Sequence, residues 1–224
     1  MDITDWPIFG IAVEYLPAMI RGFWISIKLA AASTVLSVFL GLIAAVVRLK
    51  RVPVLAQIAT FYVEVCRGTP LILQIFLVYF TLADWGLVLP AFWAGAIALG
   101  LFQGAFTSEI FRAGILAVPR GTVEAGLSIG LSEGQLYRDV ILPQAAKLIV
   151  PPMTNRLILN LKETALTVTI SVNELMFVAY NGAALTFRST EFFMLAAMFY
   201  LAVAYPASRF MRRFETKIEQ PLGT

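Results

Sequence analysis

Long apolar runs, separated by short polar segments, recur along this chain and constrain its fold more than any single motif. A hydrocarbon core of roughly 30 Å takes about 20 helical residues to cross. Backbone groups within it must find partners inside the protein, which restricts the structures that can span it. Composition points the same way. The 224 residues are 59% hydrophobic and 14% charged, with a mean hydropathy of +0.82, well outside soluble averages. The chain reads as an all-α integral membrane protein with a single domain over residues 1–224.

Five spans are expected. The first covers about residues 22–47, the second about 55–82 and the third about 87–118. The fourth covers about 148–180 and the fifth about 192–210. The third and fourth exceed the length a span needs, so their ends should project or tilt. An amphipathic stretch from Ile8 to Ile20 precedes the first span without a basic region ahead of it, so no cleaved signal peptide is expected. Internal repeats and low-complexity segments are absent from the sequence.

Lysine and arginine set the expected orientation. Arg48, Lys50 and Arg51 lie between the first two spans, Arg112, Arg120, Arg138 and Lys147 surround the polar segment after the third, and Arg209, Arg212, Arg213 and Lys217 follow the fifth. The opposite side carries Asp2, Asp5, Glu14 and Asp84, with Arg21 and Arg188 as its cations. These positions place the N-terminus outside and the C-terminus in the cytoplasm. The basic pI near 9.1 follows from this topology and calls for no nucleic-acid partner. With Cys66 the single cysteine and no histidine, the usual Cys/His zinc patterns and the commonest proton relay are missing.

Residues 119–145 form a long polar loop between the third and fourth spans. Leu127 and Leu131 stand four apart in its first half, and Leu136, Tyr137, Val140 and Ile141 share one face of its second. Gly130 falls where a turn needs positive φ, and Pro143 is expected to end the second helix. The pattern predicts a helix, a sharp turn and a second helix at the membrane surface.

The sequence Glu124-Ala125, then Gly130, then Ile141-Leu142-Pro143 resembles the EAA loop of permease subunits of bacterial ATP-binding-cassette importers, with Gly126 where a second alanine is usual. Four further stretches resemble the polar-amino-acid branch of that family. They are Val63-Glu64 with Arg67-Gly68-Thr69-Pro70-Leu71; Glu109-Ile110-Phe111-Arg112-Ala113-Gly114-Ile115; Val118-Pro119-Arg120-Gly121; and Lys162-Glu163-Thr164-Ala165-Leu166. The resemblance implies the type I importer permease fold, with Glu124, Ala125, Gly130, Leu131, Leu142 and Pro143 in a cytoplasmic loop that couples to an ATPase. It implies two cytoplasmic ATP-binding subunits, a second permease chain (identical or homologous), an extracytoplasmic solute-binding protein and an amino-acid substrate in the bacterial inner membrane. No cofactor is expected on this chain, which lacks a G-x-x-x-x-G-K-[ST] phosphate loop. ATP and magnesium belong to the partner ATPases.

On the fourth span Arg156, Asn160, Glu163, Thr167, Ser171 and Glu174 follow steps of four and three, which puts them on one helical face. Charge at bilayer depth costs on the order of 2.5–3.5 kcal/mol, so this stripe should face protein or a water-filled path. It reads either as a solute pathway or as a packing face on which Arg156 and Glu163 neutralise neighbouring charges. Lys162 points about 100° away from Glu163. The two could hold opposite ends of a zwitterion, or Lys162 could pair with an acid on another span. The resemblance makes Lys162 and Glu163 the foremost substrate contacts. Glu163 would favour a cationic group and Lys162 an α-carboxylate, which suggests a polar or basic amino acid. Asn160, Thr167, Gln103 and Ser108 complete the candidate lining. Glu64 with Arg67, and Glu109 with Arg112, stand at pairing distance along their helices, the latter as scaffold near the loop. A secondary transporter, using Glu109, Glu163 and Glu174 as ion sites, is the alternative.

Overall fold

A computed structural model describes residues 7–218 of the chain. Asp2 and Asp5 lie outside these residues, and Arg212, Arg213 and Lys217 lie outside those whose side chains are described. All regular structure in the described residues is helical.

Helix α1 runs unbroken over Pro7–Leu49, so the amphipathic stretch and the first span are one element. Its membrane-crossing part is Glu14–Leu49. Along it Ser26, Ser33 and Ser37 are buried while Val35 and Phe39 are exposed. This polar-inside, apolar-outside order suits a helix with lipid on one side and protein on the other.

The second span is not straight. Helices α2 (Leu55–Gly68) and α3 (Leu71–Asp84) meet at 113°. Thr69 and Pro70 sit extended between them, where proline cannot supply an N–H to the ladder. Gln74 repairs the break, its Nε2 donating 2.8 Å hydrogen bonds to the Cys66 carbonyl and the Thr69 hydroxyl. A π-helical turn over Leu77–Thr81 lies within α3.

Helix α4 (Ala91–Leu116) is the most enclosed span and packs along α1. Backbones approach closely because small residues line the seam. A Cβ at Gly41 would stand 2.8 Å from Thr107 Cβ and 3.0 Å from the Gly104 carbonyl. Ser37 and Thr107 hydroxyls bond across the same seam at 2.8 Å. Trp85 and Trp93, between α3 and α4 and in the first turn of α4, are exposed as interface anchors would be.

Helix α5 (Arg120–Ser128) begins after Pro119 and stops before Gly130, whose φ of +82° makes the expected turn. Ser132 and Gln135 then close a capping box, and helix α6 continues over residues 133–163. Pro143 therefore does not end the second helix. Leu136–Ile141 is π-helical, and residue 139, whose carbonyl a proline ring at 143 would strike in a regular α-helix, lies within that widened turn. Such bulges absorb a ladder defect without stopping the helix.

The expected fourth span, 148–180, is likewise interrupted. After α6 come a 3₁₀ segment over Thr164–Ile170, left-handed Ser171, helix α7 (Leu175–Thr186) and helix α8 (Ser189–Ile218). Among the described residues three helices are long and apolar enough to cross a membrane, and the bent α2–α3 pair makes a fourth. Leu29, Ile75, Leu99 and Ile170 join α1, α3, α4 and the 3₁₀ segment in one core, while Met19, Leu175 and Phe192 join α1, α7 and α8 in another.

Candidate functional site

Asn160 is the hub of a polar centre halfway along the bundle. Its Nδ2 donates to the Ala30 carbonyl (3.0 Å), Ser33 Oγ (2.9 Å) and Thr34 Oγ1 (3.0 Å), which fixes α6 to α1. Gln103, buried on α4, donates through Nε2 to Asn160 Oδ1 at 3.4 Å and to the Glu163 carboxylate. Arg156 Nε donates to Gln103 Oε1 at 2.7 Å, and its Nη2 stands 3.8 Å from Glu163 Oε2. The guanidinium lies over Phe106, 4.2 Å from the ring centroid, with Phe102 at 5.8 Å. A small recess between Thr34, Ser37, Gln103, Thr107 and Asn160 opens beside this network.

Three positions of the predicted stripe, Arg156, Asn160 and Glu163, thus meet on one helical face. The stripe ends there. Thr167 is buried, but its hydroxyl donates to the Thr164 carbonyl at 2.7 Å within the 3₁₀ segment. Ser171 is an exposed turn residue, and Lys162 is exposed while Glu163 is half-buried. Ser108 is fully buried, and its hydroxyl has no hydrogen-bond partner. Sequence reasoning missed the contribution of α1 and the aromatic pair on α4. The spacing of Ser26, Ser33 and Ser37, seven and then four residues, was the available signal for a polar helix face.

Glu174 proves to be an anchor. Fully buried, it caps α7 by accepting from the Phe177 N–H at 2.8 Å, and it also accepts from Ser26 Oγ (3.1 Å) and Tyr200 Oη (3.2 Å). Glu109 accepts from Arg48 (2.5 Å) and from Arg112 (2.8 Å), so the expected scaffold pair is a trio that includes α1. Arg67 turns to the Phe106 ring, 5.5 Å from its centroid, while Glu64 is exposed beside it. Each acid that an ion-coupled carrier would need is engaged within the chain.

The loop of residues 119–145 folds on a small core of Val118, Leu136, Ile141 and Ala145. Gly126, where a second alanine is usual, is buried, and a Cβ there would stand 2.6 Å from Leu136 Cδ1. The glycine lets α6 close onto α5. Outward from this core project Leu127 (55% exposed), Ile129 (79%), Tyr137 and Leu142, with Glu124, Ala125 and Pro143 also exposed and Leu131 half-buried. Arg138 pairs with Asp139 at 2.7 Å, and that hydrogen bond holds the exposed Asp139 carboxyl below its ordinary range.

Residues 37–220 match the family described as the inner membrane component of binding-protein-dependent transport systems. The arginine transport system permease protein ArtQ of Bacillus subtilis is 33% identical over 212 residues, covering 94% of this chain and 97% of that protein. The glutamine transport system permease protein GlnP of Escherichia coli K12 is 33% identical over 221 residues, 96% of this chain and 98% of its own. Among solved structures, an amino acid ABC transporter crystallised with histidines superposes with a TM-score of 0.88 at 35% identity, over 93% of this chain and 98% of that one. The MetNI methionine transporter, at 20% identity and a TM-score of 0.71, shares the fold over 89% of this chain and 97% of its own. The match over residues 37–220, with relatives one-third identical along more than nine-tenths of the chain, places this chain in the family of binding-protein-dependent transport system inner membrane components.

Proposed function

We propose that this chain is the membrane-spanning permease subunit of an amino-acid importer powered by ATP hydrolysis in partner subunits. The observation that carries the proposal is the pair of exposed apolar side chains at the turn of the 119–145 hairpin, Leu127 and Ile129, standing on its own small core. A permease must transmit motion from an ATPase. A rigid hairpin with an apolar outer face gives such a partner a grip, and relatives at this identity are named as arginine and glutamine permeases.

In this arrangement the hairpin and the C-terminus face the cytoplasm, and two ATP-binding subunits carry the nucleotide and magnesium. A second permease chain completes the pathway, and an extracytoplasmic binding protein delivers the solute. Nucleotide-driven closure of the ATPases moves the hairpin and rocks α4 and α6, between which the Gln103–Arg156–Glu163 network lies. Asn160 and Gln103 hold that network in register, and Glu163 and the exposed Lys162 beside it in sequence form the charged pair offered to the substrate. The polar centre suits a polar amino acid.

Affinity purification from the native membrane tests the proposal. A P-loop ATPase should accompany the chain and should be lost when Leu127 and Ile129 become aspartate. Recovery of a partner-free chain at full yield would count against an importer subunit.

A further inference from the structure

The Arg156 side chain is held in the manner of a bound ligand. Its flat face lies 4.2 Å from the Phe106 centroid, Gln103 Oε1 accepts from Nε at 2.7 Å, and Glu163 Oε2 balances its charge from 3.8 Å. An aromatic face, an amide oxygen and a carboxylate around one group are the chemistry that recognises a guanidinium or alkylammonium ion. Here the chain supplies that group itself.

We propose that Arg156 permanently occupies the cation position of this polar centre, so that this subunit's own site excludes amino acids with cationic side chains. The inference rests on the reading of the chain as an amino-acid permease. It narrows the substrate class, because the Glu163 carboxylate taken alone would invite a basic substrate.

Space, burial and charge support it independently. The free volume in the recess that Arg156 itself lines is about 10 Å³, room for about one water and not for a second guanidinium or ammonium group while Arg156 stays in place. The Arg156 side chain is only 15% exposed. Its Nη2 is shut off from solvent and makes no hydrogen bond, so that nitrogen is not presented to an incoming carboxylate. Glu163 already accepts from Gln103 Nε2 as well. A second cation would therefore add uncompensated positive charge in a region of low dielectric.

The test uses the assembled transporter, purified with its partners and without the binding protein. Binding of radiolabelled L-arginine and L-glutamine is measured for the wild type, Arg156→Ala, Glu163→Gln and the double variant Arg156→Ala/Glu163→Gln. The proposal predicts no Glu163-dependent arginine binding in the wild type. Arg156→Ala should gain saturable arginine binding, weakened about tenfold or more in the double variant and displaced by guanidinium ion but not by sodium. Arginine binding in the wild type that Glu163→Gln abolishes would overturn it. So would loss of all amino-acid binding in Arg156→Ala with no gain of arginine, since Arg156 would then be a carboxylate receptor. Should Arg156→Ala fail to assemble, millimolar guanidinium chloride added during extraction reads the same question. Assembly restored by guanidinium and not by sodium chloride supports the proposal, and restoration by neither overturns it. ATP-driven uptake by the wild type is followed in parallel. Its absence for every amino acid counts against the permease reading itself, whereas intact uptake without the predicted gain counts against the occupant alone.

Discussion

Ser26 Oγ on α1 donates to Glu174 Oε2 at the head of α7 over 3.1 Å, joining residues 148 positions apart at the point where the chain leaves its 3₁₀ segment. Tyr200 and the Phe177 N–H converge on the same carboxylate. A carboxylate so placed does the work of a cross-link. It caps one helix and ties it to two others, which allows the chain to break a span at residues 171–174 without exposing backbone groups to lipid.

Glu174→Ala should therefore destabilise the protein by about 1–3 kcal/mol, the cost of leaving buried donors unsatisfied, together with loss of the α7 cap. Glu174→Gln keeps one acceptor oxygen and should lose less. Thermal melting of the purified complex in detergent measures both, and equal melting temperatures for Glu174→Ala and the wild type would refute the anchoring role.

Gly41→Ala should open the α1–α4 seam. The added methyl meets Thr107 Cβ at 2.8 Å and the Gly104 carbonyl at 3.0 Å, and backbone cannot yield as a flexible side chain can. A penalty of about 1–3 kcal/mol is expected from overpacking. Because Thr107 lines the recess next to Gln103, substrate-stimulated ATPase activity should fall along with the melting temperature.

At Gly130 the constraint is conformational. With φ at +82° and nothing within 4 Å of where an added methyl would stand, only the backbone resists substitution. Gly130→Val should cost about 1–2 kcal/mol locally and abolish ATP-dependent uptake while membrane insertion stays normal. Gly130→Asn, which tolerates left-handed φ, should retain much of the uptake. Uptake normalised to the amount inserted separates the two effects, and normal uptake by Gly130→Val would remove the turn from the coupling path.

Leu127→Asp and Ile129→Asp alter exposed positions, so each should change the stability of the isolated chain by no more than about 0.5 kcal/mol. Recovery of the ATPase partner should nonetheless drop sharply. Melting curves and co-purification on the same preparations check the two halves of this prediction.

Helical class and the turn at Gly130 were legible because each depends on local chemistry, run length and a residue free to take positive φ, whereas spacing grouped the exposed Tyr137 with Leu136, Val140 and Ile141, which pack on the loop's core. Breaks in the spans were less legible. Thr69-Pro70 announced one by its missing N–H, but nothing in the run from Thr164 to Ile170 marks a change to 3₁₀ geometry. Periodicity carried the polar stripe past Glu163 because a period assumes the helix continues. Pro143 misled in the opposite direction, since a π turn upstream let the helix pass through it. Of the polar centre, the share on α6 and α4 could be read from single helices. That Asn160 would bond to Ser33 and Thr34, and that Arg156 would lie on Phe106, depends on which helices become neighbours.

Reconstitution tests the central claim most directly. The chain is placed in liposomes with its ATPase partners and its binding protein, and uptake of labelled amino acids is followed with ATP on the side of the 119–145 hairpin. Uptake that requires ATP on that side and stops when the binding protein is withheld is the predicted result. Amino-acid movement driven by an ion gradient, with the ATPase subunits absent, would contradict it.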